Sequence, residues 1–154
     1  MKALSRFMHQ LSVHRPSVAV GILGDKAAAA HRGTAAATVV EIGAAHEFGA
    51  GVPERSFLRR TVDAERTKYL RHMTNGLRRE TGEVARSGTV PGQSVTLKRL
   101  GLMVEGDIKK LIAQGIDPAL KPETIKRKGS SKPLIDTGQL RASISSEPRK
   151  GRRR

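Results

Sequence analysis

The stretch SFLRRTVDAERTKYLRHMTNGLRRETGEV, Ser56–Val84, sets the architecture. Leu58, Val62, Tyr69, Met73, Leu77 and Val84 recur at intervals near the helical period. Arg59, Arg60, Arg66, Arg71, Arg78 and Arg79 fall largely between them. This spacing predicts one long amphipathic helix from Ser56 to about Val84, weakened in its second half by Gly76 and Gly82. A second stripe, Leu97, Leu100, Val104, Ile108, Leu111 and Ile112, predicts another helix that starts near Ser94 and stops at Gly115.

Outward from these helices the pattern changes. Leu4, Phe7, Met8 and Leu11 stand at helical spacing, so Met1–His14 reads as a short amphipathic helix stopped by Pro16. Ser17–Leu23 alternates and is rich in β-branched residues, which predicts a strand. Gly24 and Asp25 begin a turn, and Ala27–Gly33 reads as a loop or hairpin tip. Thr38–Ile42 has strand character, and Gly43–Phe48 follows as a single helical turn. Beyond Gly115, Pro118 and Pro122 mark an extended connection, and Thr124–Lys132 reads as a basic loop. Asp136 or Thr137 caps a short helical turn through Leu140, and Ser143–Ser146 forms a final strand. The expected fold class is α+β, a small antiparallel sheet with two longer amphipathic helices. Residues 1–148 read as a single domain and 149–154 as a basic disordered tail.

Composition narrows the function classes. A chain of 154 residues with 3% aromatics and three Phe builds its interior from Leu, Val, Ile and Ala, a thin core that burial between subunits would strengthen. There is no cysteine, which excludes disulfides and Cys-ligated zinc. No apolar run reaches the roughly 20 residues that span a bilayer, and the start of the chain lacks an apolar h-region, so neither a membrane partner nor a signal peptide is expected. The formal charge of +15 implies a polyanionic or acidic neighbour. From Lys121 to Arg154 there are eleven Lys and Arg against three Asp and Glu.

Catalytic and cofactor motifs are incomplete. His46-Glu47 begins a zinc-protease phrase, but Ala50 stands where the second histidine is needed and Gly49 breaks the helix. The plainer reading is a polar pair at a helix end with Phe48 packed inward. Gly21–Lys26 lacks the spacing of a nucleotide loop. Asp136-Thr137-Gly138 matches one half of an aspartic-protease pair, and the second carboxylate is missing. An Asx-turn that fixes the chain reversal is the expected role. No cofactor is expected. Lys126, Arg127, Lys128 and Lys132, with Arg152, Arg153 and Arg154, are candidates for contacting phosphates or an acidic partner. With so few aromatics to stack on bases, any such contact is electrostatic and indifferent to sequence.

Two blocks carry a resemblance. The first is Val39–Gly49, with His46-Glu47-Phe48-Gly49, followed by Val52–Arg59, with Pro53, Arg55 and Phe57. The second is Leu97–Gly115, then Thr124-Ile125, Lys128, and Pro133–Leu140, with Leu134, Asp136, Thr137, Gly138 and Leu140, closed by Ser143-Ile144. In this order they resemble the neck and tail-completion proteins of tailed bacteriophages, the broad group that includes minor tail protein Z and related head–tail joining proteins. The resemblance covers most of the chain from Val39 to Ile144. It implies a structural virion protein and not an enzyme: a homo-oligomeric ring, hexamer or dodecamer, at the head–tail interface. The implied partners are the connector or adaptor and the tail tube or tail terminator proteins, with possible nonspecific contact with DNA in the channel. The location would be the virion neck or tail, after assembly in the host cytoplasm. The chain departs from the pattern after Ser143-Ile144, where a longer β segment is expected and Glu147-Pro148 leads to basic residues. The rival readings are a basic, sequence-nonspecific DNA-binding protein, which the charge suits equally, and a small virion hydrolase, for which no convergent titratable groups are visible.

Overall fold

In the computed structural model, which describes residues 2–14, 16–30, 37–128, 133–134 and 138–149, the chain is α+β, with a small antiparallel sheet of two strands and a majority of helix. The elements run α1 (Lys2–His14), β1 (Ser17–Ile22), α2 (Asp25–Ala28), α3 (Val39–Phe48), α4 (Phe57–Ala64), α5 (Arg66–Ser87), α6 (Val95–Gln114), α7 (Pro122–Lys128), α8 (Gln139–Ser143) and β2 (Ile144–Arg149). Strand β1 pairs with β2. Among the described residues no helix is long and apolar enough to cross a membrane.

Two expectations change here for local reasons. Thr38–Ile42 is not a strand. The Thr38 hydroxyl accepts the Glu41 N–H at 3.4 Å, and the Glu41 carboxylate accepts the Thr38 N–H at 2.7 Å. This reciprocal capping box starts α3 and outweighs the β preference of Val39, Val40 and Ile42. The hydrogen bonds from Thr38, backbone first and hydroxyl second, lower the Glu41 pKa. The single helical turn expected at Gly43–Phe48 is therefore the second half of a ten-residue helix.

The long helix is also broken. Glu65, at φ −100° and ψ 8°, separates α4 from α5. Its buried file is Phe57 and Thr61 in α4, then Tyr69, Gly76 and Val84 in α5, while Val62 is exposed. The break lies where the chain leaves one compact unit for the other. Unit 1 comprises Met1–Ala19, Glu65–Met103 and Ser146–Arg154; unit 2 comprises Val20–Ala64 and Val104–Ser145.

Within unit 1, α1 lies on α5 and buries Phe7. Helix α5 meets α6 through Gly76: a β-carbon there would fall 2.3 Å from Thr96 Cγ2. The Glu80 carboxylate of α5 accepts the Ser94 hydroxyl at 2.8 Å and the Thr96 N–H, and Ser94 Oγ accepts the Leu97 N–H at 3.2 Å. The first turn of α6 is thus capped both by its own Ser94 and by a carboxylate from the preceding helix. Further along α6, a β-carbon at Gly101 would lie 2.5 Å from Val18 Cγ2 and 3.1 Å from Ser146 Cβ, so both strands approach that backbone closely.

Unit 2 gathers Val39, Phe57, Ile108, Ile112, Leu134, Leu140 and Ile144 as buried residues. The expected α6 stripe holds, with Val104, Ile108 and Ile112 buried, and Gly115 ends the helix at φ 98°. Thr124–Lys128, expected in a loop, is helical in α7, where Pro122 opens the helix at a position that needs no N–H. The final strand runs three residues past its expected end, to Arg149, and so includes the first residue of the expected tail. Residues 150–154 lie outside the described ones.

Candidate assembly surface

The first resembling block folds into one tightly tied corner of unit 2. Helix α3 stops at Gly49, whose φ of 71° suits glycine, and its N–H returns to the Ala45 carbonyl. The chain then turns through Gly51 and the exposed Pro53. It is pinned back on α3 by the Arg55 N–H, which donates to the His46 carbonyl at 2.7 Å. Phe57 enters α4 fully buried. Gly43 on α3 leaves room for this contact: a β-carbon there would lie 2.4 Å from Ile22 Cδ1, 3.4 Å from Leu140 Cδ1 and 3.8 Å from Phe57 Cζ. His46, Glu47, Gly49, Arg55 and Phe57 therefore meet, and Leu140 from the second block joins their base.

Glu47 is the centre of the corner. Only 3% of it is exposed. Its Oε2 accepts the Leu58 N–H at 2.9 Å, and its Oε1 accepts the Arg59 N–H at 3.0 Å and Arg59 Nε–H at 3.1 Å. A side chain from α3 thus supplies the acceptors that the first turn of α4 lacks, and its negative charge lies at the favourable end of that helix. Arg59 also donates to the Glu47 carbonyl and, at 2.8 Å, to Glu54 Oε1.

Arg55 is buried as well, at 3% exposure. Its Nε and Nη2 donate to the Pro118 carbonyl at 2.9 and 2.6 Å, and Nη2 reaches the Ala119 carbonyl at 3.5 Å. The guanidinium fork ties the α3–α4 turn to the connection after α6. Burial pushes its pKa down, and the carbonyl dipoles offset part of the lost hydration.

Phe48 reverses an expectation. It does not pack inward; it is 68% exposed. Neighbouring Glu47 takes the inward position on the helix, so Phe48 points out. The Arg59 guanidinium stands 5.3 Å from its ring centroid, at cation–π range. The corner thus presents an aromatic ring on a base fixed by Glu47 and Arg59.

The other sequence candidates are less gathered. Leu134 and Leu140 are buried, and Leu134 takes a left-handed φ of 63°. Gly138 occupies the cap position of α8 at φ 73° and gives no side-chain cap. Asp136 and Thr137, expected to cap that turn, lie outside the described residues, as do Lys132, Arg152, Arg153 and Arg154. Lys126 is exposed on α7, which also carries Arg127 and Lys128.

The half-motif His46-Glu47 has a structural use, since the Glu47 carboxylate is committed to α4. Among the described residues no group of three or more His, Asp and Glu is arranged to hold a metal ion. Comparison of the chain with protein-family models, curated proteins and solved structures found no match.

Proposed function

We propose that this chain is a structural virion protein of a tailed bacteriophage, a ring-forming subunit that joins or completes the tail at the neck. The observation that carries the reading is Phe48. An exposed aromatic ring on a hydrogen-bonded base is the anchor that a protein interface uses, because its large surface is ordered before binding. It stands within the His46-Glu47-Phe48-Gly49 phrase that gives the chain its resemblance to neck and tail-completion proteins. The two most deeply buried charged side chains of the corner, Glu47 and Arg55, are engaged with backbone groups, which suits a scaffold better than a proton-transfer site.

In this reading six or twelve copies close into a ring by a heterologous contact. One face meets the connector or adaptor and the other meets the tail tube or tail terminator. Assembly takes place in the host cytoplasm and ends in the virion neck or tail. No cofactor takes part. The ring reading is tested by replacing Phe48 with Asp and measuring incorporation into tails. Incorporation should fall sharply while the melting temperature of the free protein stays within about 2 °C, because an exposed substitution of this kind changes stability little. Normal incorporation would remove Phe48 as the anchor.

A second reading, sequence-nonspecific DNA binding, is favoured by one observation. Unit 1 carries sixteen Lys and Arg against four Asp and Glu, a formal +12, whereas unit 2 carries thirteen against ten, a formal +3. The two readings are compatible if the basic unit meets DNA while the other carries the assembly corner.

A further inference from the structure

Four of the five arginines of α5, Arg71, Arg78, Arg79 and Arg86, form an ordered array on the exposed side of that helix. Arg71 and Arg78 are seven residues apart, as are Arg79 and Arg86, so each pair stacks along the helix about 10 Å apart and within about 20° of rotation. Asn75 and Gly82 lie between the two files, and all six residues are exposed. The buried file, Tyr69, Gly76 and Val84, holds the opposite side.

Charge pairing leaves most of this array available. Arg86 pairs with Glu83 at 2.7 Å, and Lys68 at the start of the helix pairs with Glu65 at 3.2 Å. Among the described residues Arg71, Arg78 and Arg79 enter no ion pair, and Arg79 Nε merely donates to the Asn75 carbonyl at 3.3 Å. A β-carbon at Gly82 would meet nothing within 4 Å, so the face is open there.

From this geometry we infer that the Arg71–Arg78–Arg79 face of α5 binds the phosphate backbone of duplex nucleic acid. The inference stands on unit 1 alone and does not require the ring. Three features select the ligand class. The cations stand in two files along one face of a rigid helix, which matches a polymer carrying one negative charge per about 1.7 Å of axis. Between them Asn75 offers an exposed side-chain amide of the kind that contacts phosphates, and Gly82, with no side chain, leaves room for a phosphate backbone to approach. The array also contains no apolar residue between Arg71 and Arg86, whereas a protein partner would be expected to find an apolar centre. Leu70, 48% exposed, lies about 100° of rotation away from Arg71. Without aromatics to stack on bases, the surface reads backbone charge and not sequence.

The test measures binding of a fluorescent 30-base-pair duplex to the full chain across a salt series. Three variants are compared: Arg71→Gln/Arg78→Gln/Arg79→Gln; Arg71→Lys/Arg78→Lys/Arg79→Lys; and a control, Lys110→Gln/Lys121→Gln/Arg141→Gln, which removes the same charge from exposed positions of unit 2. The α5 glutamine variant should bind at least about tenfold more weakly at low salt, with its salt slope reduced by roughly two to three units. The lysine variant should keep most of the affinity, and the control should remain near the parent. Circular dichroism and melting temperature verify folding, and the lysine variant separates lost charge from altered packing. Equal losses in the glutamine variant and the control would overturn the inference, since bulk charge alone would explain binding. Duplex binding unchanged by the α5 substitutions, with loss of binding to polyglutamate, would overturn it in favour of an acidic protein partner.

Discussion

Glu47 Oε1 accepts both the backbone N–H and the Nε–H of Arg59, at 3.0 and 3.1 Å. One carboxylate on α3 therefore starts α4 and positions the guanidinium that stands against Phe48. Glu80 has a parallel role in unit 1, where it reaches Ser94 and Thr96 at the start of α6. In both units a glutamate of one helix supplies acceptors to the first turn of the next.

Glu47→Ala should destabilise the protein by about 1–3 kcal/mol, because two part-buried backbone amides lose a charged acceptor. The Arg59 component is discounted, since that side chain is 53% exposed. Glu47→Gln should cost less, because the amide oxygen can still accept one backbone N–H. Urea unfolding measures both. Equal stability of Glu47→Ala and the parent would refute the role given to this carboxylate.

Arg55→Lys should cost about 1–3 kcal/mol despite keeping the charge. The ammonium cannot reproduce the planar fork that reaches Pro118 and Ala119. Arg55→Leu tests whether charge matters at all in this buried place. If Arg55→Lys unfolds at the parent's urea midpoint, the clamp contributes nothing.

Gly76 and Gly82 lie on the same helix and should respond oppositely to alanine. At Gly76 the new methyl would fall within 2.3–2.9 Å of three Thr96 atoms, and overpacking of this kind costs about 1–3 kcal/mol. At Gly82 the space is open, so Gly82→Ala should stabilise by up to about 1 kcal/mol through helix propensity. Thermal unfolding of the two variants compares them directly, and changes of the same sign would contradict the close α5–α6 crossing.

Helices α1, α5 and α6 are readable in the sequence because apolar spacing states which side is buried. The stripe from Leu97 to Ile112 needed only that rule. The β-branched composition of Thr38–Ile42 points to a strand, but Thr38-x-x-Glu41, a capping signal also present in the sequence, starts a helix there. No Gly or Pro stands at Glu65, so the sequence carries no local signal for the break between α4 and α5. The phrase from His46 to Phe57 was recognisable as a unit. Which of its side chains turns inward was not, because the exposure of Phe48 follows from the burial of Glu47. Glu47 in turn is buried only because α4 starts where its carboxylate can reach. Arg71, Arg78 and Arg79 are visible in the sequence as charges, but that they enter no ion pair among the described residues is a fact of three dimensions.

Glu41 gives a pH prediction. Its folded pKa lies below the ordinary value of 4.5, so its contribution is full above that value and is lost as pH falls through the folded one. The parent should melt higher than Glu41→Gln at pH 7, and the gap should narrow as the pH falls below 4.5 and through the lowered folded pKa, where the carboxyl protonates in both states. A gap independent of pH would show that the capping charge has no part in holding α3.

The most direct test of the assembly reading is the number of copies of this chain in purified tails, obtained by quantitative mass spectrometry and by the rotational symmetry of the neck in electron cryomicroscopy. The account predicts six or twelve copies in one closed ring. A single copy per particle, or absence of the chain from the assembled virion, would contradict it.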